Sequence, residues 1–276
     1  MGKGALAGLR ALEMGQLIAG PFCGQLMADH GAEVIKIELP GEGDPMRAWG
    51  RGKPVWFPVI ARNKKCITLD VRLPKGKEIL LHLLENADFL VENFRPGTLE
   101  KWNLGYEALR ELNRRLILVR VSGFGQTGPY AGRAGYGSIG EAMGGIRYLA
   151  GDPSTPPSRV GLSIGDSLAA TFACMGAMMA LHHRHRTGEG QIVDCAIYEA
   201  VLAMLESTVL VHLGISGPGG ACITDIARRL TRGLVPMRCA VRCRSEVAPD
   251  RRRTGACEYD APVQFRQGLR PRWRTT

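Results

Sequence analysis

Between residues 9 and 122 the sequence alternates short apolar runs with segments whose apolar residues recur at helical spacing. The runs LRALEM, EVIKIE, DFLVEN and LILVRVSGFG are typical of buried strands, whereas PFCGQLMADHG and PKGKEILLHLLENA are typical of helices. TLEKWNLGYEALRELN predicts helix on both sides of Gly105. Strands that alternate with helices pair in parallel, because each helix carries the chain back across a face of the sheet. The expected fold class is therefore α/β, with a Rossmann-like parallel sheet and flanking helices.

The loops at one edge of this sheet are the expected ligand site, since ligands of open α/β sheets bind beyond the carboxyl ends of the strands. These loops are GQLIAGP, VENFRPG and SGFGQTGPY. The first loop lacks the G-x-G-x-x-G pattern of dinucleotide-binding folds, and no G-x-x-x-x-G-K-[ST] occurs in the sequence. Nicotinamide cofactors and nucleoside triphosphates are therefore not supported as ligands.

The net charge of +10 is concentrated in the last part of the chain. Residues 1–213 hold 23 Lys and Arg against 21 Asp and Glu, a balance of +2, and residues 214–276 hold 13 against 5, a balance of +8. In that last range 11 of 63 residues are Leu, Ile, Val or Phe, too few for a packed core. We therefore expect an α/β domain over 1–213 and an Arg-rich tail over 214–276. The tail is either a disordered arm that binds polyanions or the product of a shifted reading frame, and its composition favours the second.

The eight cysteines form no C-x-x-C pair, which is typical of reduced thiols and not of disulfides or a zinc site. The sequence opens without a secretory or myristoylation pattern, and its longest apolar run, residues 167–181, is too short and too rich in Ala, Gly and Thr to span a membrane. We expect a soluble cytoplasmic protein that binds no metal, no membrane and no nucleic acid.

Asp166 is the single charged residue in VGLSIGDSLAATFACMGAMMAL, residues 160–181. The residues after it predict a long buried helix that stops at Thr187 and Gly188. One interpretation is a helix N-cap, because an Asp side chain there accepts backbone N–H bonds. A helix start also keeps a carboxylate ionised at low pKa beside N–H donors, which suits a nucleophile that attacks a thioester. The position alone permits both roles.

Two charged clusters have a simpler explanation than ligand binding. HHRHR, residues 182–186, does not place three imidazoles together, and cations favour a helix C-terminus, so we expect a solvated helix end. A solvated strand edge is expected for the acidic residues Glu33, Glu38, Glu42 and Asp44.

The segment VENFRPGTLEKW offers an Asn, loop N–H groups and the basic Lys101 near a helix start, which together could hold the phosphates of a nucleotide-like cofactor. The neighbouring strand adds positive charge from Arg62, Lys64, Lys65 and Arg72. A generic exposed turn explains either stretch equally well when it is taken alone.

A series of segments then follows one order along nearly all of residues 8–207: LIAGPFCGQLMADHGAEVIKIE, RNKKCITLDV, VENFRPG, LGYEAL, SGFGQTGPY, RAGYGSIGEAMGG, VGLSIGDS and RTGEGQIVDCAIYEA. Together they resemble the family III CoA-transferases, the CaiB/BaiF family, which includes formyl-CoA transferase and α-methylacyl-CoA racemase. The similarity of these segments stops near Val211, and we expect a chain truncated or frameshifted after that point.

The resemblance implies that Asp166 is the catalytic aspartate and that Tyr136 belongs to the same catalytic site. In the family's mechanism the carboxylate attacks an acyl-CoA thioester to form a mixed anhydride, then an enzyme–CoA thioester, and CoA passes to a second acid. The implied substrates are an acyl-CoA and a small carboxylic acid, with coenzyme A carried by the acyl-CoA and no metal. The implied CoA-binding residues are Leu17, Ala19, Leu69, Val71, Arg72, Asn93, Phe94 and Lys101.

Three departures from the family pattern qualify this expectation. Leu39 stands where relatives commonly have Arg after the second strand. The racemase branch has a His where Tyr136 stands, and because a tyrosine hydroxyl titrates near about pH 10 it is a poor proton-transfer partner, so transfer is favoured over epimerisation. The family's second lobe, with a glycine-rich loop that closes over the aspartate and a chain that interlocks into a homodimer, is expected to be missing or replaced in 214–276.

GSIGEAMGGIRYLAG looks most like members that use succinyl-CoA and small dicarboxylic or hydroxy acids, for which Arg47 or Arg147 is a candidate partner of a second substrate carboxylate. The alternatives to a CoA-transferase are a 2-methylacyl-CoA epimerase and an inactive fragment with a polyanion-binding basic tail.

Overall fold

The computed structural model describes residues 4–50, 53–150, 154–205, 208 and 241–244, and the strands among them form one sheet. The strands are Arg10–Glu13 (β1), Glu33–Glu38 (β2), Lys64–Thr68 (β3), Phe89–Glu92 (β4), Ile117–Ser122 (β5), Ile192–Ala196 (β6) and Val241–Arg244 (β7).

The helices of the described residues are Ala19–Asp29 (α1), Trp56–Ile60 (α2), Pro74–Glu85 (α3), Thr98–Lys101 (α4), Tyr106–Leu112 (α5), Gly137–Met143 (α6), Ile146–Leu149 (α7), Ile164–Thr187 (α8) and Ile197–Leu202 (α9). Single turns of 3-10 helix occur at Pro45–Ala48 and Ala203–Leu205. The predicted helices around Gly105 are confirmed, because α4 ends before this glycine and α5 begins after it.

The strand order in the sheet is β3-β2-β1-β4-β5-β6-β7. The pairs from β3 to β6 are parallel, and β7 pairs with β6 in the antiparallel direction. The prediction of an α/β fold with a parallel sheet is confirmed. The chain moves outward on one side from β1 to β3 and returns to the other side of β1 with β4. The loops that follow β1 and β4 therefore diverge at a topological switch point, where open α/β sheets bind ligands.

Two apolar layers pack against the two faces of the sheet. On one face, α1 and α8 contact alternate strand residues such as Phe89 and Val91. On the other face, α3 and α5 pack against residues such as Leu90 and Leu118. The alternation along β4 follows from the two-residue period of a strand, whose side chains point to opposite faces in turn.

The long helix α8 packs through a row of small residues. Ala169, Ala173, Ala177 and Ala180 are fully buried and belong to the core shared with α1. Side chains this small allow two helices to approach closely. Among the described residues α8 is also long and apolar enough to cross a membrane, but its alanine row lies in the core, as the sequence predicts for a buried helix. The helix ends at Thr187 with Gly188 in the left-handed conformation, as predicted.

Several charged residues that the sequence places in strands lie in the interior. Lys36 is fully buried and its ammonium lies 3.0 Å from Glu13 Oε1 and 2.8 Å from Asp44 Oδ2. The prediction of a solvated edge is wrong for two of its four residues, because Glu38 and Asp44 are both buried. Their carboxylates are compensated by Arg47 and Lys36, which is how a carboxylate avoids the cost of losing water.

The described residues belong to one compact unit, Met1–Ser245, and the second unit, Glu246–Thr276, lies outside them. Of the Arg-rich range 214–276, the structure describes β7 alone. The interpretation of this range as a disordered or out-of-frame tail therefore falls outside the described residues and stays a prediction, as does the boundary at 213.

Candidate active site

A cleft of about 300 Å³ opens at the switch point, beyond the carboxyl ends of β1, β4 and β5. Its walls come from the loops after these strands and from the starts of α6 and α8. Six of the residues predicted for the site line this cleft: Leu17, Ala19, Asn93, Phe94, Tyr136 and Asp166. These residues are far apart in the sequence, and the fold brings them together in one cleft.

Asp166 is the third residue of α8, and Ser163 occupies the N-cap position. The prediction that Asp166 is the helix N-cap is wrong, because Asp166 lies within the first turn and not at the cap position. The helix simply begins earlier than the sequence suggested, since Ile164 and Gly165 already have helical geometry. The carboxylate is half-buried and faces the cleft, where it is available for chemistry.

Burial and, to a smaller extent, the negative charge of Glu141 together raise the pKa of Asp166 to about 6, while the charge of Arg159 acts in the opposite direction. The prediction that the helix start lowers the pKa of Asp166 is therefore wrong. Desolvation and a like charge outweigh the favourable helix dipole here. With a pKa of about 6 the carboxylate is still about nine-tenths ionised at pH 7, so the anion is retained and is less well solvated than a free aspartate.

Gly137, the first residue of α6, lies directly against the Asp166 carboxylate. A Cβ placed on Gly137 would overlap Asp166 Oδ2 and Cγ. The neighbouring Tyr136 precedes the helix as its N-cap residue, and its side chain is 67% exposed along the cleft. The Asp166 carboxylate can therefore occupy this position only because residue 137 has no side chain.

The loop after β1 is held in an uncommon conformation. Leu17 has a φ of 61°, a left-handed value that costs a branched residue about 1 kcal/mol or more. Its N–H donates to Asp44 Oδ1 at 3.1 Å. Asn93 brackets the preceding Gln16, because its Oδ1 accepts the Gln16 N–H and its Nδ2 donates to the Gln16 carbonyl oxygen, both at 2.8 Å. Asn93 therefore fixes the shape of the cleft instead of offering a free amide to a phosphate.

A second cleft, of about 260 Å³, adjoins the first through Phe94, which lines both. Leu69, Val71 and Arg72 line this second cleft, together with Leu39. The Arg72 guanidinium forms an ion pair with Asp70 at 2.8 Å and remains half exposed. The side chain of Leu39 supplies no charge to this cleft.

Other predicted cations are placed elsewhere. Lys101 ends α4 and is exposed, but it lines neither of these clefts. Arg62, Lys64 and Lys65 pair with the carboxylates of Asp29, Glu13 and Glu33. Their charge is neutralised within the fold, so the expectation that they add to a phosphate site is not supported by their contacts.

The basic end of α8 is only partly solvated. His182, His185 and Arg186 are exposed, as expected, but Arg184 is buried. The Arg184 guanidinium donates to Asp88 Oδ1 at 2.8 Å and to the carbonyl oxygen of Arg115. Arg184 therefore links α8 to the residues that precede β4 and β5.

Sequence reasoning missed the charged residues beneath the cleft. Glu141 is fully buried and raises the pKa of Asp166, and Arg120 bridges Glu92 at 2.6 Å and Glu100 at 2.7 Å. The available signal was a charge that follows apolar residues within a predicted strand, such as Arg120 in LILVRVS and Glu92 in DFLVEN. A charge at such a position needs a partner in the interior.

The protein is an α/β protein with a carboxylate in its switch-point cleft, and comparison with known proteins assigns its family. A sequence model of CoA-transferase family III matches residues 6–231. The chain belongs to this family, as its motifs predict. The similarity of the motif segments was expected to stop near Val211, and the family match extends about twenty residues further.

Similar proteins include enzymes with named substrates. The chain is 62% identical over 205 residues to a succinyl-CoA–D-citramalate CoA-transferase of Chloroflexus aurantiacus, covering 73% of this chain and 51% of that protein. It is 40% identical over 222 residues to a succinyl-CoA:mesaconate CoA-transferase of Haloarcula hispanica, covering 75% and 55%. A CaiB/BaiF family protein from Brucella suis superposes with a TM-score of 0.74 at 37% identity, covering 77% of this chain and 58% of that one. The chain thus spans about half the length of the curated relatives it matches.

Proposed function

We propose that this protein transfers coenzyme A from an acyl-CoA to a small carboxylic acid, with Asp166 as the nucleophile. The observation that carries the proposal is the Asp166 carboxylate itself, which faces the switch-point cleft with a pKa of about 6. A carboxylate that is mostly ionised yet poorly solvated is a better nucleophile than one surrounded by water.

We further propose succinyl-CoA as the donor and a small dicarboxylic acid as the acceptor. The names of the similar proteins support this choice, since they pair succinyl-CoA with citramalate, malate or mesaconate. A cytoplasmic location is proposed, and a homodimer is proposed for a chain whose C-terminal part is intact, as the resemblance implies.

The proposed reaction has four transfers that each conserve atoms and charge. Asp166 attacks the thioester carbon, and the C–S bond breaks to give an aspartyl–acyl anhydride and CoA thiolate. The thiolate attacks the aspartyl carbonyl, which releases the donor acid and leaves an aspartyl–CoA thioester. The acceptor carboxylate displaces the thiolate to form a second anhydride, and the thiolate then attacks the new acyl carbonyl. Asp166 leaves as a free carboxylate, so no proton has to move at any step.

The remaining predicted residues have proposed roles in binding the substrate. Leu17, Ala19, Asn93 and Phe94 shape the cleft at Asp166, and Tyr136 borders the reacting thioester as the second catalytic residue. Leu69, Val71 and Arg72 would contact the nucleotide portion of CoA in the second cleft, where the Arg72 guanidinium is paired with Asp70 and remains half exposed. Lys101 would bind a phosphate that extends out of this cleft, which its exposed position permits.

Trapping of the intermediate tests the nucleophile. Incubation with succinyl-CoA followed by hydroxylamine is expected to convert Asp166 into a hydroxamate, because both the anhydride and the thioester react with amines. Mass spectrometry of the peptide that contains Asp166 detects the product. Asp29→Ala serves as a control that removes a carboxylate on the same face of the sheet and should leave the adduct in place. A folded protein without the adduct, or an unchanged transfer rate in Asp166→Ala, would refute the assignment.

A further inference from the structure

The cleft at Asp166 carries more positive than negative charge. Three arginines line it, Arg95, Arg133 and Arg159, and among the described lining residues Asp166 is the single acid. A cleft of this composition favours an anionic ligand. A thioester carbonyl is neutral before it is attacked, so binding this group does not by itself account for three arginines in the cleft.

The three arginines differ in what their guanidinium groups contact. Arg133 lies over the ring of Tyr130 at 4.2 Å, which fixes it by a cation–π interaction. Arg95 is exposed on the loop that carries Phe94, and it lines the first cleft but not the second. Arg159 is the cation whose charge lowers the pKa of Asp166, so its charge acts on the carboxylate that is proposed to react.

Glu141 holds Arg159 without using up its hydrogen-bond donors. The Glu141 carboxylate is fully buried, and both of its oxygens lack a hydrogen-bond partner among the described residues. Arg159 Nε lies 3.9 Å from Glu141 Oε2, and Arg147 Nε lies 3.6 Å from the same atom. Both separations exceed the length of an N–H···O bond, so the attraction is that of charges alone.

The donors of Arg159 are therefore available to a ligand. The Arg159 side chain is 53% exposed, and its single hydrogen bond to the described residues runs from Nη2 to the carbonyl oxygen of Leu162 at 3.5 Å. A guanidinium in this state can present two parallel N–H groups to a carboxylate.

The two arginines named from the sequence are less suited to this role. Arg47 binds Glu38 through two hydrogen bonds of 2.6 and 2.7 Å and lies over the ring of Phe57. Neither Arg47 nor Arg147 lines the cleft. The interpretation that either one receives a substrate carboxylate is therefore not supported by the structure.

We propose that Arg159 binds the distal carboxylate of a dicarboxylic acyl group while the proximal carbonyl lies at Asp166, and that it thereby selects dicarboxylic substrates. This inference rests on the proposed function, because it assumes that an acyl-CoA occupies the cleft. Glu141 is the positioning residue that keeps the guanidinium at the cleft wall. The site has one reacting end and one recognition end, which suits a short chain with a carboxylate at its terminus.

The test compares two donors of equal chain length on the full 276-residue chain. Succinyl-CoA has the terminal carboxylate, and butyryl-CoA has a methyl group in its place. The wild type is expected to bind succinyl-CoA more tightly, and Arg159→Gln is expected to reduce the ratio of the two affinities by about 10- to 100-fold, the usual effect of losing a charge-assisted pair. Arg159→Lys keeps the charge but not the paired donors and should retain part of the preference.

Arg133→Gln is the matched control, because it removes the same charge from the same cleft. Its affinity ratio should change by less than about threefold, since Arg133 is engaged by Tyr130. A ratio that is unchanged in Arg159→Gln, a wild type without preference, or an equal effect of Arg133→Gln would overturn the inference. If the ratio responds as expected but no adduct forms on Asp166, the proposed function fails while the recognition role of Arg159 stands.

Discussion

At the scale of single residues, the unusual feature of this protein is a carboxylate whose surroundings oppose its charge. Asp166 is half-buried, Glu141 adds a like charge, and the described residues provide no hydrogen bond to the Asp166 oxygens. Active sites often store such unfavourable interactions, because groups that are poorly satisfied in the free protein react or bind strongly. A carboxylate in these surroundings lowers the stability of the fold when it is ionised.

The ionised Asp166 is therefore expected to lower the free energy of unfolding in a pH-dependent way, and Asp166→Asn should remove this effect. Since the folded-state pKa is raised from 3.8 to about 6, ionisation is harder in the folded than in the unfolded chain, and stability falls as pH rises through this window. The variant should equal the wild type below about pH 4 and exceed it at pH 7 by on the order of 2–3 kcal/mol at most. Denaturant unfolding at several pH values measures the difference.

Asp29→Asn provides a control of opposite sign. The hydrogen bond from Arg62 lowers the pKa of Asp29, so its ionised form stabilises the fold above the unfolded pKa, and this contribution is lost as pH falls. This variant should be less stable than the wild type at pH 7 and should approach it in acid. A gain for Asp166→Asn that does not depend on pH would contradict the explanation by ionisation.

At the scale of elements, the carboxylate is positioned by the junction of α6 and α8. Gly137 opens α6 against the Asp166 side chain, which leaves no room for a Cβ. Gly137→Ala should therefore displace the carboxylate and lower the rate of adduct formation by about 10-fold or more, because small misplacements of reacting groups have large kinetic effects. The rate is measured by quenching the reaction with hydroxylamine at increasing times.

Gly132→Ala is the matched substitution, since a Cβ at Gly132 has no atom within 4 Å. It should leave both the fold and the rate unchanged. Equal rates in the Gly137 and Gly132 variants would show that the tight contact with Asp166 has no role in the reaction.

The elements themselves were the most predictable part of the fold. EVIKIE is β2 residue for residue, and the apolar stripe of PKGKEILLHLLENA is α3, because both periods reflect burial on one or two faces. The start of α8 was predicted less well, since Ser163, not Asp166, occupies the cap. A preference for Asp at helix starts does not distinguish the N-cap from the third helical residue, where acidic side chains are also favoured.

At the scale of the whole molecule, the motifs predicted which loops meet, whereas the charge balance inside them depended on the fold. Parallel strands bring their carboxyl ends together, so GQLIAGP and VENFRPG could be assigned to one edge from the sequence. The pairing of Asp44 with Lys36, or of Glu141 with Arg147 and Arg159, requires the register of several elements at once. This is why the prediction of a solvated edge was wrong for Glu38 and Asp44, and why Arg159 was not identified from the sequence.

The central claim is that Asp166 takes part covalently in the transfer of CoA, and the fate of a carboxylate oxygen tests it most directly. The chain is incubated with succinyl-CoA and succinate that carries heavy oxygen in its carboxylates, and the Asp166 peptide is analysed by mass spectrometry. In the proposed reaction the oxygen that bridges the second anhydride stays on Asp166, so the peptide should gain the label as labelled succinyl-CoA forms. Labelled succinyl-CoA with an unlabelled Asp166 peptide would contradict the account.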